Sequence, residues 1–142
     1  MYDNGTGQFV IYNLSRFNDS AYLPASTFKI GKSLIVIETG KIVNEKMVIK
    51  WDVIVRKFPN GDPALSWNKD LTTEEAFKVS SFPYYQEVAR RIGNDTMQFW
   101  LDSLKYGPRK ITTHIDSFGV ANSLKITQDD EVRVVNKLYF GR

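Results

Sequence analysis

The sequence lacks cysteine and has one histidine, His114, among its 142 residues. Without cysteine the chain forms no disulfide and offers no thiolate to a metal ion, and a single histidine makes a zinc cluster unexpected. Long apolar runs are missing too, because the longest, Leu34 to Ile37, is far shorter than the roughly 20 residues that cross a bilayer. We therefore expect a soluble chain with no metal site and no membrane span.

An excess of one charge is also missing. The 19 basic and 16 acidic residues are interleaved along the chain and give a formal net charge of +3. No continuous basic face is predicted, so we expect no nucleic-acid partner. The first five residues contain neither a basic leader nor an apolar stretch, and the sequence therefore shows no signal peptide.

Strand signals are few. The segment Gln8–Leu14 is rich in β-branched and aromatic residues and is predicted as a strand, while residues 47–50 give a weaker signal. Everything after Thr72 favours helix. The apolar share of 42% suffices for one core, so residues 1–142 are predicted to form a single domain.

Capping signals place the helices. One helix is expected to start near Ala25, to end at Gly40 and to be buried, because its second half is apolar on nearly all sides. Others are expected to begin at the Thr72/Glu75 capping box, with Pro83 in the first turn, with Asn94 or Asp95 as the cap, and after Thr127, where Asp130 has capping-box spacing.

Ser26 and Lys29 are the candidate catalytic pair. They stand three positions apart at a helix N-terminus, so their side chains share a face one turn apart. Amides of the first turn favour an oxyanion beside Ser26, and burial near Phe28 and Ile30 lowers the pKa of a lysine, as a base requires. In the alternative interpretation, Ser26 only caps the helix and Lys29 is a surface lysine.

The residues around this pair resemble the class D β-lactamases, the oxacillinase family. The resemblance covers nearly the whole chain and rests on segments in the family's order: residues 24–30, 33–35, 38–40, 67–71, 76–80, 83–87, 89–93, 101–107 and 122–126. It implies an α+β, mainly helical β-lactamase/penicillin-binding-like domain with an incomplete antiparallel sheet. Residues 1–25 would form an N-terminal strand region, and residues 26–142 the nucleophile helix and the helical region.

The resemblance also implies roles for three residues. Ser26 would be acylated by a β-lactam such as penicillin and the acyl-enzyme then hydrolysed, with Lys29 as general base after its amine is carboxylated by carbon dioxide. Ser80 would pass a proton to the β-lactam nitrogen. No other cofactor is implied, and the family function is antibiotic resistance in a periplasmic or secreted protein.

Four departures from the family pattern bear on these roles. Phe82 stands where a valine is expected, beside the carboxylated lysine; it is expected to bind substrate and to crowd the pocket. Pro108 replaces an asparagine, and Gly119 replaces the tryptophan that would hydrogen-bond the lysine carbamate. The 142 residues contain no K-T-G or K-S-G triplet, which in the family binds the substrate carboxylate.

Three functions stay open on this basis: a β-lactam-hydrolysing enzyme, a penicillin-binding sensor-like module that is acylated without turnover, and an inactive remnant. Because the predicted strand at residues 8–14 would have an unpaired edge, self-association through that strand is also expected.

Overall fold

The computed structural model describes residues 1–3, 5–107, 110–119 and 124–140, without the side chain of Phe140. The described elements, in chain order, are β1 (Tyr2–Asp3), β2 (Gln8–Phe9), α1 (Leu14–Asp19), a 3₁₀ turn (Ala25–Thr27), α2 (Phe28–Glu38), β3 (Val48–Ile49), β4 (Leu71–Thr72), α3 (Thr73–Lys78), α4 (Phe82–Ile92), α5 (Asn94–Leu104) and α6 (Gln128–Phe140). This α+β, mainly helical composition confirms the predicted fold class.

The strand predicted over Gln8–Leu14 is wrong beyond Phe9. Gln8 and Phe9 pair in antiparallel register with β1, and Val10 exchanges backbone hydrogen bonds with Met1. The chain then turns, because the Asn13 side chain accepts a hydrogen bond from the backbone N–H of Arg16 at 2.9 Å and caps α1. A short polar cap therefore overrides the β propensity of the preceding residues.

The second sheet joins distant parts of the chain. Val48 pairs with Thr72 and Ile49 with Leu71, antiparallel, which confirms the weaker strand signal at residues 47–50. Thr72 is also the N-cap of α3 and forms the predicted capping box with Glu75. This pairing fixes the start of α3, and so the position of the residues that follow it.

Helix α2 lies in the core and packs against α4. Phe28, Ile35 and Val36 are almost fully buried on α2, as are Val88 and Ala89 on α4. Burying a side chain of this size contributes about 1.5–3 kcal/mol. The prediction that this helix is buried on nearly all sides is wrong for the last turn of α2, where Ile37 is 45% exposed.

The remaining caps follow the sequence closely. Pro83 lies in the first turn of α4, whose N-cap is Ser81, and Thr127 exchanges hydrogen bonds with Asp130 at the start of α6. The cap predicted for α5 was wrong, because Gly93 is its N-cap and Asn94 is already helical.

Candidate active site

Ser26 lies in the 3₁₀ turn that leads into α2. The carbonyl of Pro24 accepts hydrogen bonds from the N–H of Thr27 at 3.0 Å and from its hydroxyl at 2.8 Å, which closes this turn. Ala25 has a left-handed φ of 47°, a conformation that costs a non-glycine residue about 1–2 kcal/mol. The exposed Ser26 hydroxyl is therefore held on a tightly constrained backbone.

Lys29 reaches the Ser26 hydroxyl from one turn further along. Its Nζ donates to Ser26 Oγ at 3.0 Å and to Ser80 Oγ at 2.8 Å. Ser80 Oγ in turn donates to Ser26 Oγ at 3.2 Å. The structure thus brings all three predicted catalytic residues into one triangle of hydrogen bonds.

A specific turn at the end of α3 delivers Ser80 to this triangle. The N–H of Ser80 donates to the carbonyl of Phe77, and the N–H of Ser81 donates to that of Ala76, the pattern of a Schellman motif. Ser80 occupies its left-handed position with φ 52°, where glycine is usual. The backbone of Ser80 is therefore strained, and this strain is the energetic cost of a hydroxyl at this position.

Trp67 supports the same turn. Its indole N–H donates to the carbonyl of Val79 at 3.0 Å, directly before Ser80. The sequence showed Trp67 only as part of a family segment and gave no sign of this positioning contact, since it joins two loops that no local pattern connects.

Burial lowers the pKa of Lys29, so its neutral form is more accessible than that of a surface lysine. Its Nζ lies 5.9 Å from the ring centroid of Tyr85. Burial raises the pKa of Tyr85 to about 12, and its hydroxyl, 2.7 Å from Ser33 Oγ, therefore stays neutral at pH 7. Among the described residues, no carboxylate forms an ion pair with Lys29.

A second lysine, Lys32, is buried beside the first, with 5% of its surface exposed. Its Nζ donates to the carbonyl of Phe118 at 3.2 Å and lies 5.1 Å from the ring centroid of Phe28. Burial, with repulsion from Lys29, lowers the pKa of Lys32 to about 8, against an opposing effect of Asp116. Sequence reasoning missed Lys32; a lysine in a largely apolar helix, three positions after Lys29, was the available signal.

A small cavity of about 10 Å³ adjoins the two lysines. Its lining residues are Ala25, Phe28, Lys29, Lys32, Phe82, Tyr85, Gln86 and Gly119. A single water needs roughly 10–15 Å³, so the cavity has room for about one water-sized group. Phe82, predicted to bind substrate and to crowd the pocket, is one of the walls, and its binding role stays a prediction.

Gly119 faces Phe28 at very close range. A Cβ added to Gly119 would lie 2.5 Å from Phe28 Cδ1, and the glycine φ is +93°. The Phe28 ring also contacts Tyr106 and Phe118, each with a centroid distance of 5.7 Å. No side chain can therefore occupy position 119 unless Phe28 moves. Pro108 and residues 122 and 123, named above, lie outside the described residues.

The described part of the chain holds no group of three His, Asp or Glu residues that could bind a metal ion. None of the helices described is long and apolar enough to cross a membrane. The site brings two serine hydroxyls together with a lysine of lowered pKa, which are the types of group that acyl transfer requires.

This fold and site define a domain of the penicillin-recognising serine type, and residues 1–139 match the penicillin binding protein transpeptidase domain. The chain belongs to that family. Within it the chain is a class D β-lactamase relative: it is 39% identical over 121 residues to β-lactamase OXA-11 of Pseudomonas aeruginosa, covering 85% of this chain and 43% of that protein.

Solved structures support the same family assignment. The class D β-lactamase YbXI from Nostoc superposes with a TM-score of 0.86 at 36% identity, over 97% of this chain and 56% of that chain. A more distant relative is the regulatory protein BlaR1 of Bacillus licheniformis, 27% identical over 98% of this chain and 22% of that protein. The chain spans about half the length of the β-lactamases that it matches.

Proposed function

We propose that this chain carries the acyl-enzyme chemistry of a class D β-lactamase, with Ser26 as nucleophile. The observation that carries the proposal is the triangle of Ser26, Lys29 and Ser80, whose three sides measure 2.8–3.2 Å. We further propose that the chain acts in the periplasm or outside the cell, where β-lactam antibiotics are encountered.

Acylation uses the triangle as a proton relay. Lys29, as general base in its carboxylated form, removes the proton of Ser26 as Oγ bonds to the carbonyl carbon of the β-lactam. As the ring C–N bond breaks, the nitrogen takes a proton from Ser80, and Ser80 is reprotonated by Lys29. The product is an ester of Ser26 with the opened lactam, and the Lys29 side chain has returned the proton that it took.

Hydrolysis of this ester needs a base that activates water, and we propose that the same carboxylated Lys29 supplies this anionic base. The chain's residues fit that group in two respects: burial makes the Lys29 amine easier to deprotonate, and the hydroxyls of Ser26 and Ser80 lie within hydrogen-bonding distance. The cavity of about 10 Å³ leaves little space, so Phe82 or Lys29 must shift to admit the added atoms.

A chromogenic cephalosporin tests this function. The purified chain and its Ser26→Ala variant are assayed with and without added bicarbonate. We expect product beyond one equivalent of enzyme for the wild type, faster with bicarbonate, and none for Ser26→Ala. Equal product from both proteins would contradict the proposal.

The second candidate is a sensor-like module that is acylated without turnover. It is favoured by Gly119, which places no hydrogen-bond donor side chain beside Lys29, and it agrees with the similarity to BlaR1. In the same assay it predicts a burst of one equivalent of product followed by no further release. An inactive remnant, the third function, predicts neither burst nor turnover.

A further inference from the structure

Lys32 is a buried cation whose charge no described residue neutralises by direct contact. Its ammonium has three N–H donors, and its only acceptor among the described residues is the carbonyl of Phe118. The carboxylate that acts on it from a distance, Asp116, bonds instead to Arg90 at 3.1 Å and to Ser117 at 3.1 Å. Burying an unpaired charge is costly, and buried lysines are normally paired.

The cavity beside Lys32 also exposes Lys29, from one turn earlier on the same face of α2. Two ammonium groups at one cavity repel each other, and this repulsion adds to burial in lowering the pKa of Lys32 to about 8. The site therefore favours a state in which Lys29 carries a negative charge, because Coulomb attraction to Lys32 then replaces repulsion. The positive charge of Lys32 at this cavity therefore stabilises an anion on Lys29.

We propose that Lys32 is the positioning residue that supplies the counter-charge to carboxylated Lys29, at the wall where Gly119 contributes no side chain. The inference rests on the proposed function, since it assumes that Lys29 is carboxylated. It explains how a chain without a donor side chain at position 119 still stabilises the modified base. It assigns to Lys32 a role that the family resemblance does not supply.

Carboxylation of Lys29 starts from its neutral amine. The lone pair of neutral Lys29 Nζ bonds to the carbon of carbon dioxide, one C–O π bond breaks, and its electron pair goes to that oxygen. One N–H proton is lost to solvent. The charge at the Lys29 side chain changes from zero to minus one, and Lys32 keeps its proton.

Carbon-13 NMR of the chain in ¹³C-bicarbonate measures the modification without any substrate. Wild type, Lys32→Met and Lys32→Arg are titrated with bicarbonate, and Lys29→Met identifies the carbamate signal by its loss. Lys41→Met, at an exposed lysine just after α2, is the control for removing a lysine charge elsewhere. Thermal unfolding of each protein verifies that it is folded.

We expect Lys32→Met to need about tenfold or more bicarbonate for half carboxylation, the effect of a partly buried charge pair. Lys32→Arg and Lys41→Met should behave like wild type. Equal bicarbonate midpoints for wild type and folded Lys32→Met would overturn the inference while leaving carboxylation of Lys29 intact. Absence of any carbamate signal in wild type would overturn the inference together with the role proposed for carboxylated Lys29.

Discussion

Lys29 Nζ lies 2.8 Å from Ser80 Oγ, although 51 positions separate the two residues. A local turn positions each residue: the 3₁₀ turn before α2 positions Lys29, and the Schellman turn after α3 positions Ser80. Helix α4 directly follows the Schellman turn, and its packing against α2 brings the two turns together. The candidate site therefore depends on the helical core more than on the small sheets.

Replacement of Ser80 should separate strain from chemistry. Ser80→Gly relieves the left-handed φ that Ser80→Ala retains, so we expect the glycine variant to be about 1 kcal/mol more stable than the alanine variant. Both lose the hydroxyl and should be acylated more slowly by β-lactams. Urea unfolding and acylation rates measure the two effects, and equal stabilities of the variants would argue against strain at this position.

Lys32 should make stability depend on pH. Its pKa falls from 10.5 to about 8 on folding, so between these values the unfolded chain holds a proton that the folded chain has released. Stability from this group therefore rises as pH increases from about 8 to 10.5, by about 3 kcal/mol in total at ~1.4 kcal/mol per pKa unit.

Lys32→Met lacks this dependence. In buffer free of carbon dioxide, the stability difference between the variant and wild type should favour the variant most at pH 7 and shrink toward pH 10. Taking the difference removes the contributions of the tyrosines. Urea unfolding at several pH values tests it, and a difference that is constant with pH would contradict the burial of a charged Lys32.

Local chemistry explains which elements the sequence could predict. The capping boxes at Thr72 and Thr127 and the first-turn Pro83 are contacts within four residues, and all three were predicted correctly. The strand predicted at residues 8–14 stops after Phe9 because its partner β1 is only two residues long and because the Asn13 cap starts α1.

Sequence spacing also explains which residues of the site could be predicted. Ser26 and Lys29 follow from spacing along one helix, but Ser80 was identified only through the family resemblance, since its position depends on α3 and α4. Lys32 and Trp67 were missed because their importance lies in burial and in a loop-to-loop hydrogen bond. Self-association and the single-domain organisation stay predictions, although the short pairing at Gln8–Phe9 removes much of the strand on which self-association was based.

Phe82→Val should enlarge the cavity beside Lys29. We expect carboxylation at lower bicarbonate concentrations, because the added atoms then fit with less movement, and a loss of about 1–2 kcal/mol in stability from the removed ring. Phe77→Val, on the exposed side of α3, is the matched control and should leave the bicarbonate midpoint unchanged. An unchanged midpoint for Phe82→Val would show that this ring does not limit the site.

Gly119 and Gly40 form a matched pair for testing the contact with Phe28. Both have positive φ, but a Cβ at Gly40 meets nothing within 4 Å, whereas at Gly119 it meets Phe28 Cδ1 at 2.5 Å. Gly119→Ala should therefore be less stable than Gly40→Ala by about 1 kcal/mol or more. Gly119→Trp should also fail to increase carboxylation. Equal stabilities of the alanine variants would show that the Phe28 ring moves away from a Cβ at position 119 without a cost in free energy.

Intact-protein mass spectrometry after incubation with penicillin measures whether β-lactams acylate Ser26. We expect a mass increase of one penicillin, mapped to the peptide that contains Ser26, and its absence in Ser26→Ala. Where hydrolysis is fast, the adduct is trapped by acid quench within the first turnover. A folded wild-type protein with no adduct at any quench time, or an adduct that persists in Ser26→Ala, would show that β-lactams do not acylate Ser26.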